Sequence, residues 1–391
     1  MLFSISIIFL LGLAAGWICQ KIRFPALFGM LLAGILIGSY GLDLIDDSIL
    51  GISAEIRKIA LIIILLRAGI TLNPEDLKKI GRPAVLLCFL PACFEILGML
   101  LVAPLLLDIS ALDSAIMGAV ISAVSPAIIV PRMIHLIHEK YGTKKGIPQL
   151  ILAGASVDDV FVIVMFDVFT GIAQGSQVSA ITFINIPMSI LFGIAVGFMA
   201  GKLLHRFFQC INSKGIIKIM ILLSVSFIFT AIEDKGVIPF SALIAVMVMG
   251  ISGKENNASQ QISAGLNQLW SVAEIFLFVL VGASVNIHCA SEYGFRAVLL
   301  IFAVLVFRMA GVLLCLVRTN LSRKERLFCM IAYLPKATVQ AAIGGIPLAM
   351  GLDCGNMVLT VSVLAILITA PLGAFGIDLS YRKILSREDI S

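Results

Sequence analysis

The sequence predicts an all-α polytopic membrane protein with about thirteen transmembrane helices, and three observations support this fold class. Only 13% of the 391 residues are charged, about half of what is usual in soluble chains. The hydrophobic residues, 60% of the total, lie in runs of about 17–25 residues, the length that a helix needs to cross ~30 Å of hydrocarbon. Basic residues gather on one side of these runs, as they do in membrane proteins with a fixed orientation.

Each apolar run predicts one span. The approximate limits are 2–19, 24–40, 50–70, 83–107, 112–137, 147–173, 181–204, 215–232, 236–252, 266–287, 295–317, 326–349 and 355–376. The first run has neither a basic segment before it nor a small-residue cleavage pattern, so we expect a retained helix and not a signal peptide.

The basic residues predict the orientation. If the N-terminus is outside, twenty Lys and Arg residues fall in inner loops, and only Lys235 and Arg296 fall in outer loops. We therefore expect a multi-pass protein of the cell membrane with a cytoplasmic C-terminus. The inner loops also account for the net charge of +5, so no nucleic-acid partner is needed.

Two adjacent acids lie within an otherwise apolar or small stretch, AGASVDDVFV at 153–162. Asp158 and Asp159 are about eleven residues, or ~17 Å, into their span, close to the bilayer midplane. Three further ionisable residues have a similar depth in other spans: Glu95, Arg308 and Lys336. Each such group costs about 2.5–3.5 kcal/mol at a helix centre, so they persist only if they pair or face water.

Two purely structural explanations of these charged residues are also compatible with the sequence. SVDD could be a capping box in which Ser156 starts a helix, although that would leave too few residues to span the membrane. Glu95 and Arg308 could form a purely structural ion pair, because breaking a buried pair costs about 3–5 kcal/mol.

Two prolines predict broken helices. Pro126 in SAVSPAIIVP and Pro335 in IAYLPKATVQAAIGGIP each remove an amide donor near the middle of a span. Spans four to six and eleven to thirteen run in opposite orientations, each with a broken middle member, as in the two inverted repeats of secondary transporters. Lys336, beside one break, could offset the partial negative charge of converging helix C-termini.

Four segments together carry a resemblance to a known family: LRAGITLNPEDLKK, AVSPAIIVPRM, YGTKKGIPQLILAGASVDDV and YLPKATVQAAIGG. They resemble the monovalent cation:proton antiporters, and most closely the NHA branch of sodium/proton exchangers, over about 66–345. The resemblance implies a NhaA-like fold with a mobile core domain and a dimerising scaffold domain.

The resemblance also implies roles for individual residues. Asp159 is the main cation- and proton-binding carboxylate and Asp158 its neighbour, so both are expected Na⁺ ligands, with Ser125 as a helper. Glu95 and Arg308 form the core ion pair in the family. Relatives with two adjacent acids often have Lys where this chain has Arg308, and Arg does not readily release a proton, so stoichiometry and electrogenicity stay open.

The implied domains follow the spans. We expect scaffold helices at 1–81, the first core repeat at 82–175, a linker helix and scaffold at 176–290, the second core repeat at 291–378 and a short cytoplasmic tail at 379–391.

The expected activity is exchange of Na⁺ or Li⁺ for H⁺ by a homodimer with elevator-type alternating access, serving pH homeostasis. Proton and cation compete for Asp159, and freed backbone carbonyls assist in cation binding. The expected partners of the protein surface are membrane lipids. We expect no enzyme activity and no cofactor.

The alternatives are a K⁺/H⁺ antiporter or a cation channel or sensor on the same fold. An intramembrane aspartyl protease is disfavoured because Asp158 and Asp159 lie ~100° apart on one helix. An organic-anion symporter is disfavoured by the paired acids.

Overall fold

Apolar runs that end at Pro, Gly or charged residues form helices along the chain. The computed structural model describes residues 1–71, 81–175, 180–210, 215–235, 240–253 and 258–388. Within these ranges, the strand-like structure is an isolated bridge between Tyr141 and Arg387.

The first half of the chain contains nine helices in its described ranges. They are α1 (Leu2–Lys21), α2 (Ala26–Ile37), α3 (Asp47–Gly51), α4 (Ser53–Thr71), α5 (Arg82–Leu87), α6 (Leu90–Leu107), α7 (Ala111–Ile121), α8 (Pro126–His138) and α9 (Ile147–Ala173).

The second half continues in the same way. Its helices are α10 (Ala180–Cys210), α11 (Gly215–Asp234), α12 (Ala242–Ser252), α13 (Ala258–Ala283), α14 (Ile287–Cys315), α15 (Arg323–Ala332), α16 (Thr338–Ile343), α17 (Ile346–Ala349) and α18 (Gly355–Ile384).

The predicted class is confirmed: the described chain is all-helical, and helices occupy each predicted span. By length and composition, eight helical segments of the described ranges can cross a membrane, and three shorter apolar stretches accompany them. The exact number of crossings stays a prediction. Residues 72–79 of the first motif, the domain boundary at 176 and tail residues 389–391 lie outside the described residues.

The alternative in which Ser156 starts a helix is wrong. Gly146 adopts a left-handed backbone with φ of 64°, which ends the preceding turn, and α9 begins at the next residue. Ser156 and both acids therefore lie inside one continuous helix from Ile147 to Ala173.

Both predicted broken helices are present. The first breaks between α7 and α8, and Pro126 is the first residue of α8, where its missing amide donor costs little. The second breaks between α15 and α16 and contains Pro335 in its non-helical stretch.

Close contacts divide the chain into two compact units. The first contains 1–57, 75–170 and 275–391, and the second contains 58–74 and 171–274. Three of the four divisions fall within α4, α9 and α13, and the fourth, between residues 74 and 75, lies outside the described residues. The predicted division into scaffold and core helices stays a prediction.

Small residues let helices approach closely inside each unit. In the first unit α6 packs along α14, where a Cβ on Gly98 would lie 2.6 Å from the Phe307 ring and one on Gly311 would lie 2.8 Å from Pro91 Cα. Helix α18 packs against α7, α15 and α16, so both broken helices contact it. In the second unit α10 packs along α12, with Gly197 against Ala245.

Candidate functional site

The two broken helices meet at their breaks, inside the first unit. The backbone N–H of Ser125, in the first break, donates to the carbonyl of Pro335, in the second, at 2.8 Å. The backbone N–H of Lys336 donates to Thr369 Oγ1 on α18 at 3.0 Å. Two segments far apart in sequence thus form one hydrogen-bonded crossing.

The first break frees carbonyls that the helix would otherwise pair, and donors from the second repeat engage them. Ile121 O accepts from Lys336 Nζ at 2.7 Å and from Gln340 Nε2 at 3.1 Å. Ala123 O accepts from the same Gln340 nitrogen at 2.9 Å. Ser122 O accepts from a guanidinium N–H of Arg308. These three carbonyls are engaged by donors, and the assistance of freed carbonyls in cation binding stays a prediction.

Four of the predicted site residues form one buried network. Arg308 Nη1 lies 2.9 Å from Glu95 Oε2, and Arg308 Nη2 lies 3.1 Å from Asp158 Oδ2. Lys336 Nζ lies 2.6 Å from Glu95 Oε1. All four side chains are fully buried. The Glu95–Arg308 pair thus belongs to a chain of charges that reaches one of the two adjacent acids.

Arg308 holds this network through its planar fork. Its Nε donates to the carbonyl of Tyr333 at 2.9 Å, while its two terminal nitrogens contact Glu95, Ser122 and Asp158. A lysine ammonium could not reproduce these directions, since the guanidinium donors diverge in one plane.

Lys336 lies at the carboxyl end of α7. Its ammonium contacts the carbonyl of Ile121, the last residue of that helix. A cation at this position offsets the partial negative charge of the helix end.

One of the two carboxylate oxygens of Asp158 has hydrogen-bond partners in the described chain. Its Oδ2 accepts from Arg308 and from the backbone N–H of Val124, the latter at 2.9 Å. Its Oδ1 is buried and has no hydrogen-bond partner among the described residues.

Asp159 differs from the other four charges. It is 4% exposed, it forms no ion pair within the described ranges, and its Oδ1 has no hydrogen-bond partner there. With every group ionised, the acids Glu95, Asp158 and Asp159 face the cations Arg308 and Lys336, so the site keeps one uncompensated negative charge.

Neutral oxygens at the crossing are also unpartnered. Ser125 Oγ, Thr338 Oγ1 and Gln340 Oε1 are buried and accept no hydrogen bond from the described part of the chain. The described residues hold no group of three or more His, Cys, Asp or Glu side chains arranged for a metal ion. Carboxylate, hydroxyl and amide oxygens suit hard cations.

Sequence reasoning missed Gln340 and the backbone of Val124. Gln340 carries no charge, so it was not counted with the ionisable groups. A signal was nonetheless present, because this glutamine follows Lys336 by four residues in an otherwise small and apolar stretch.

Comparison with known proteins identifies the family of the chain. A family model described as "Sodium/hydrogen exchanger, transmembrane" matches residues 5–379. The chain belongs to the sodium/hydrogen exchanger family. It is thus a multi-pass membrane cation/proton antiporter, a transporter and not an enzyme.

Curated relatives agree with this family. The exchanger is 32% identical to "Sodium/hydrogen exchanger 9B2" of Pongo abelii over 99% of this chain and 75% of the relative. It is 33% identical to the Xenopus tropicalis protein of the same name, over 99% and 76%. It is 31% identical to "Sodium/hydrogen exchanger 9B1" of Homo sapiens, over 99% and 78%.

A solved structure supports the fold. The sodium proton antiporter MjNhaP1 from Methanocaldococcus jannaschii, at pH 8, superposes on this exchanger with a TM-score of 0.85. The alignment covers 97% of each chain at 20% identity. The antiporter fold predicted from the sequence is therefore confirmed, whereas the roles of individual site residues stay predictions.

Proposed function

We propose that this exchanger swaps Na⁺ or Li⁺ for H⁺ at the carboxylate of Asp159. One observation carries the proposal: of five buried ionisable groups at the crossing, Asp159 is the one that forms no ion pair within the described ranges. A buried carboxylate without a partner is unfavourable. Binding either a proton or a metal cation neutralises it.

Competition follows from this geometry. A proton and a small cation would use the same carboxylate oxygens, so the binding of one excludes the other. Asp158 Oδ1 and Ser125 Oγ, both buried and unpartnered in the described chain, are the proposed further oxygen ligands. Glu95, Arg308 and Lys336 hold the surroundings in place through their mutual ion pairs.

The proposed ratio is one proton for one monovalent cation. Arg308 does not release its proton readily and holds Asp158, and Lys336 is held by Glu95. Only Asp159 is then left to change its bound ion. Exchange should therefore be insensitive to membrane potential.

The transport cycle that we propose is elevator-type alternating access in a homodimer. If the empty, charged crossing cannot move across the membrane while either loaded form can, the two ion fluxes are coupled. The proposed location is the cell membrane, with the N-terminus outside and the C-terminus cytoplasmic. Reporter fusions at the C-terminus test the orientation.

Proteoliposomes with a trapped pH dye test the activity. Sodium, lithium and potassium are added in turn to wild type and to Asp159→Asn, with and without a clamped potential. We expect dequenching with Na⁺ or Li⁺ in wild type and none in D159N.

Asp167→Asn is the matched control, because it makes the same chemical change at an exposed position of the same helix and should keep exchange. Exchange that survives in D159N refutes the assignment. A response to K⁺ alone selects the potassium alternative, and cation flux without proton coupling selects a channel.

A further inference from the structure

Gln340 connects the two broken helices without carrying a charge. Its side chain is fully buried, and its single Nε2 donates to Ile121 O at 3.1 Å and to Ala123 O at 2.9 Å. It lies in the first turn of α16, and both acceptors lie at the first break. Nothing in the proposed exchange cycle uses it.

The Ala123 carbonyl and the Val124 amide belong to one peptide group, and that group is held at both ends. Gln340 donates to its oxygen, and its N–H donates to Asp158 Oδ2 at 2.9 Å. Because the peptide is planar and trans, fixing the carbonyl direction also fixes the N–H direction. Donation to the oxygen also polarises the peptide and strengthens its N–H as a donor.

We propose that Gln340 is a positioning residue that, through the Ala123–Val124 peptide, orients the carboxylate of Asp158. The inference rests on the proposed function, since it concerns the acid beside Asp159. Arg308 and Lys336 also donate to freed carbonyls, but each of them also holds an acid. Gln340 is neutral, and its two hydrogen bonds in the described chain go to backbone carbonyls.

Loss of this donor has a defined consequence. With the Val124 N–H less well aimed, Asp158 Oδ2 keeps the contact with Arg308 but loses its second fixed donor, so Asp158 Oδ1 is held less precisely beside Asp159 and binds the cation more weakly. Exchange at a given pH then needs a higher cation concentration.

The substitution would leave the other titratable and charged groups around Asp158 in place. They are its neighbour Asp159, Arg308 and Cys315 from α14, Tyr333 and Lys336 from the second break, and Cys88, Cys93 and Glu95 from the segment of α5 and α6.

Gln340→Met tests the proposal, because methionine has a similar length and no donor. Purified full-length protein in proteoliposomes is assayed for exchange at one fixed pH over a range of Na⁺ concentrations. The apparent KM for Na⁺ should rise about threefold, while the maximal rate at saturating Na⁺ changes less than twofold.

Gln149→Met is the matched control, since it makes the same change at a glutamine of α9 away from the crossing, and its KM for Na⁺ should stay that of wild type. If Q340M does not fold, Gln340→Asn, which is shorter but still polar, should change the KM in the same direction. A wild-type KM in the folded Gln340 variant overturns the inference, and so does a lower maximal rate with an unchanged KM. Asp159→Asn separates the two proposals, because exchange in that variant refutes the proposed function and leaves the Gln340 result to be judged by itself.

Discussion

Removal of the Glu95 charge should destabilise the exchanger strongly. Glu95 is fully buried and lies 2.9 Å from Arg308 Nη1 and 2.6 Å from Lys336 Nζ. In Glu95→Gln, Arg308 keeps Asp158, but Lys336 loses the acid that holds it in the described chain. Breaking a buried pair from one side costs about 3–5 kcal/mol, and we expect this loss in the free energy of unfolding.

A second substitution should recover part of that loss. In Glu95→Gln combined with Lys336→Met, both charges disappear, so the site returns to the single net negative charge of the wild type. Ile121 O keeps its hydrogen bond from Gln340 at 3.1 Å. The double variant should therefore be more stable than Glu95→Gln by about 2 kcal/mol.

Unfolding in mixed detergent micelles, followed by intrinsic fluorescence, measures these differences. Glu292→Gln is the control, since this acid is exposed on the same helix as Arg308 and should change the free energy by less than about 0.5 kcal/mol. A Glu95→Gln protein as stable as wild type, or a double variant less stable than both single variants, would contradict the pairing.

Further predictions concern the surroundings of the network. Arg308→Lys should lower the free energy of unfolding by about 2–4 kcal/mol in the same assay, because a lysine cannot reach all of the acceptors that the fork contacts. Gly154→Ala would place a methyl group against Tyr333 Oη and should lower the free energy of unfolding by about 1–3 kcal/mol. Tyr333→Phe in the Gly154→Ala background should restore part of this loss, and an unchanged loss would refute the contact. Burial raises the pKa of Glu325, but hydrogen bonds from Lys145 and from the start of α15 outweigh burial and lower the pKa below 4.5. Glu325 therefore stabilises the fold above pH 4.5, and this stabilisation is lost as the pH falls. The difference in melting temperature between wild type and Glu325→Gln should shrink between pH 6 and 3, and a constant difference would refute the linkage.

The sequence predicted the helices because membrane spans follow simple rules. An apolar run of sufficient length has no other way to satisfy its backbone in hydrocarbon, so run lengths locate helices with little help from tertiary structure. Proline likewise located both breaks. The structure refined their positions: Pro126 starts α8, and the non-helical residues precede it.

Side-chain partners were harder to predict. Depth along a span indicated that Glu95, Asp158, Arg308 and Lys336 lie at one level, but depth does not give direction around a helix. Arg308 contacts two acids, and Lys336 contacts Glu95 rather than either aspartate. These choices depend on the rotation of each helix and on the approach that residues such as Gly98 and Gly311 permit. A uniformly apolar run indicates neither the rotation of its helix nor how closely a neighbouring helix can approach.

The hydrogen bond between the breaks, from Ser125 N–H to Pro335 O, constrains how the exchanger can change shape. Parting the two segments would strip this bond and leave several buried donors and acceptors without partners, each at about 1–3 kcal/mol. Sliding both segments together as one block disturbs none of these bonds. We therefore expect ion access to switch by movement of the intact crossing together with the helices bonded to it, α6, α9, α14 and α18, and a cross-link that joins the two breaks to each other should leave turnover unimpaired.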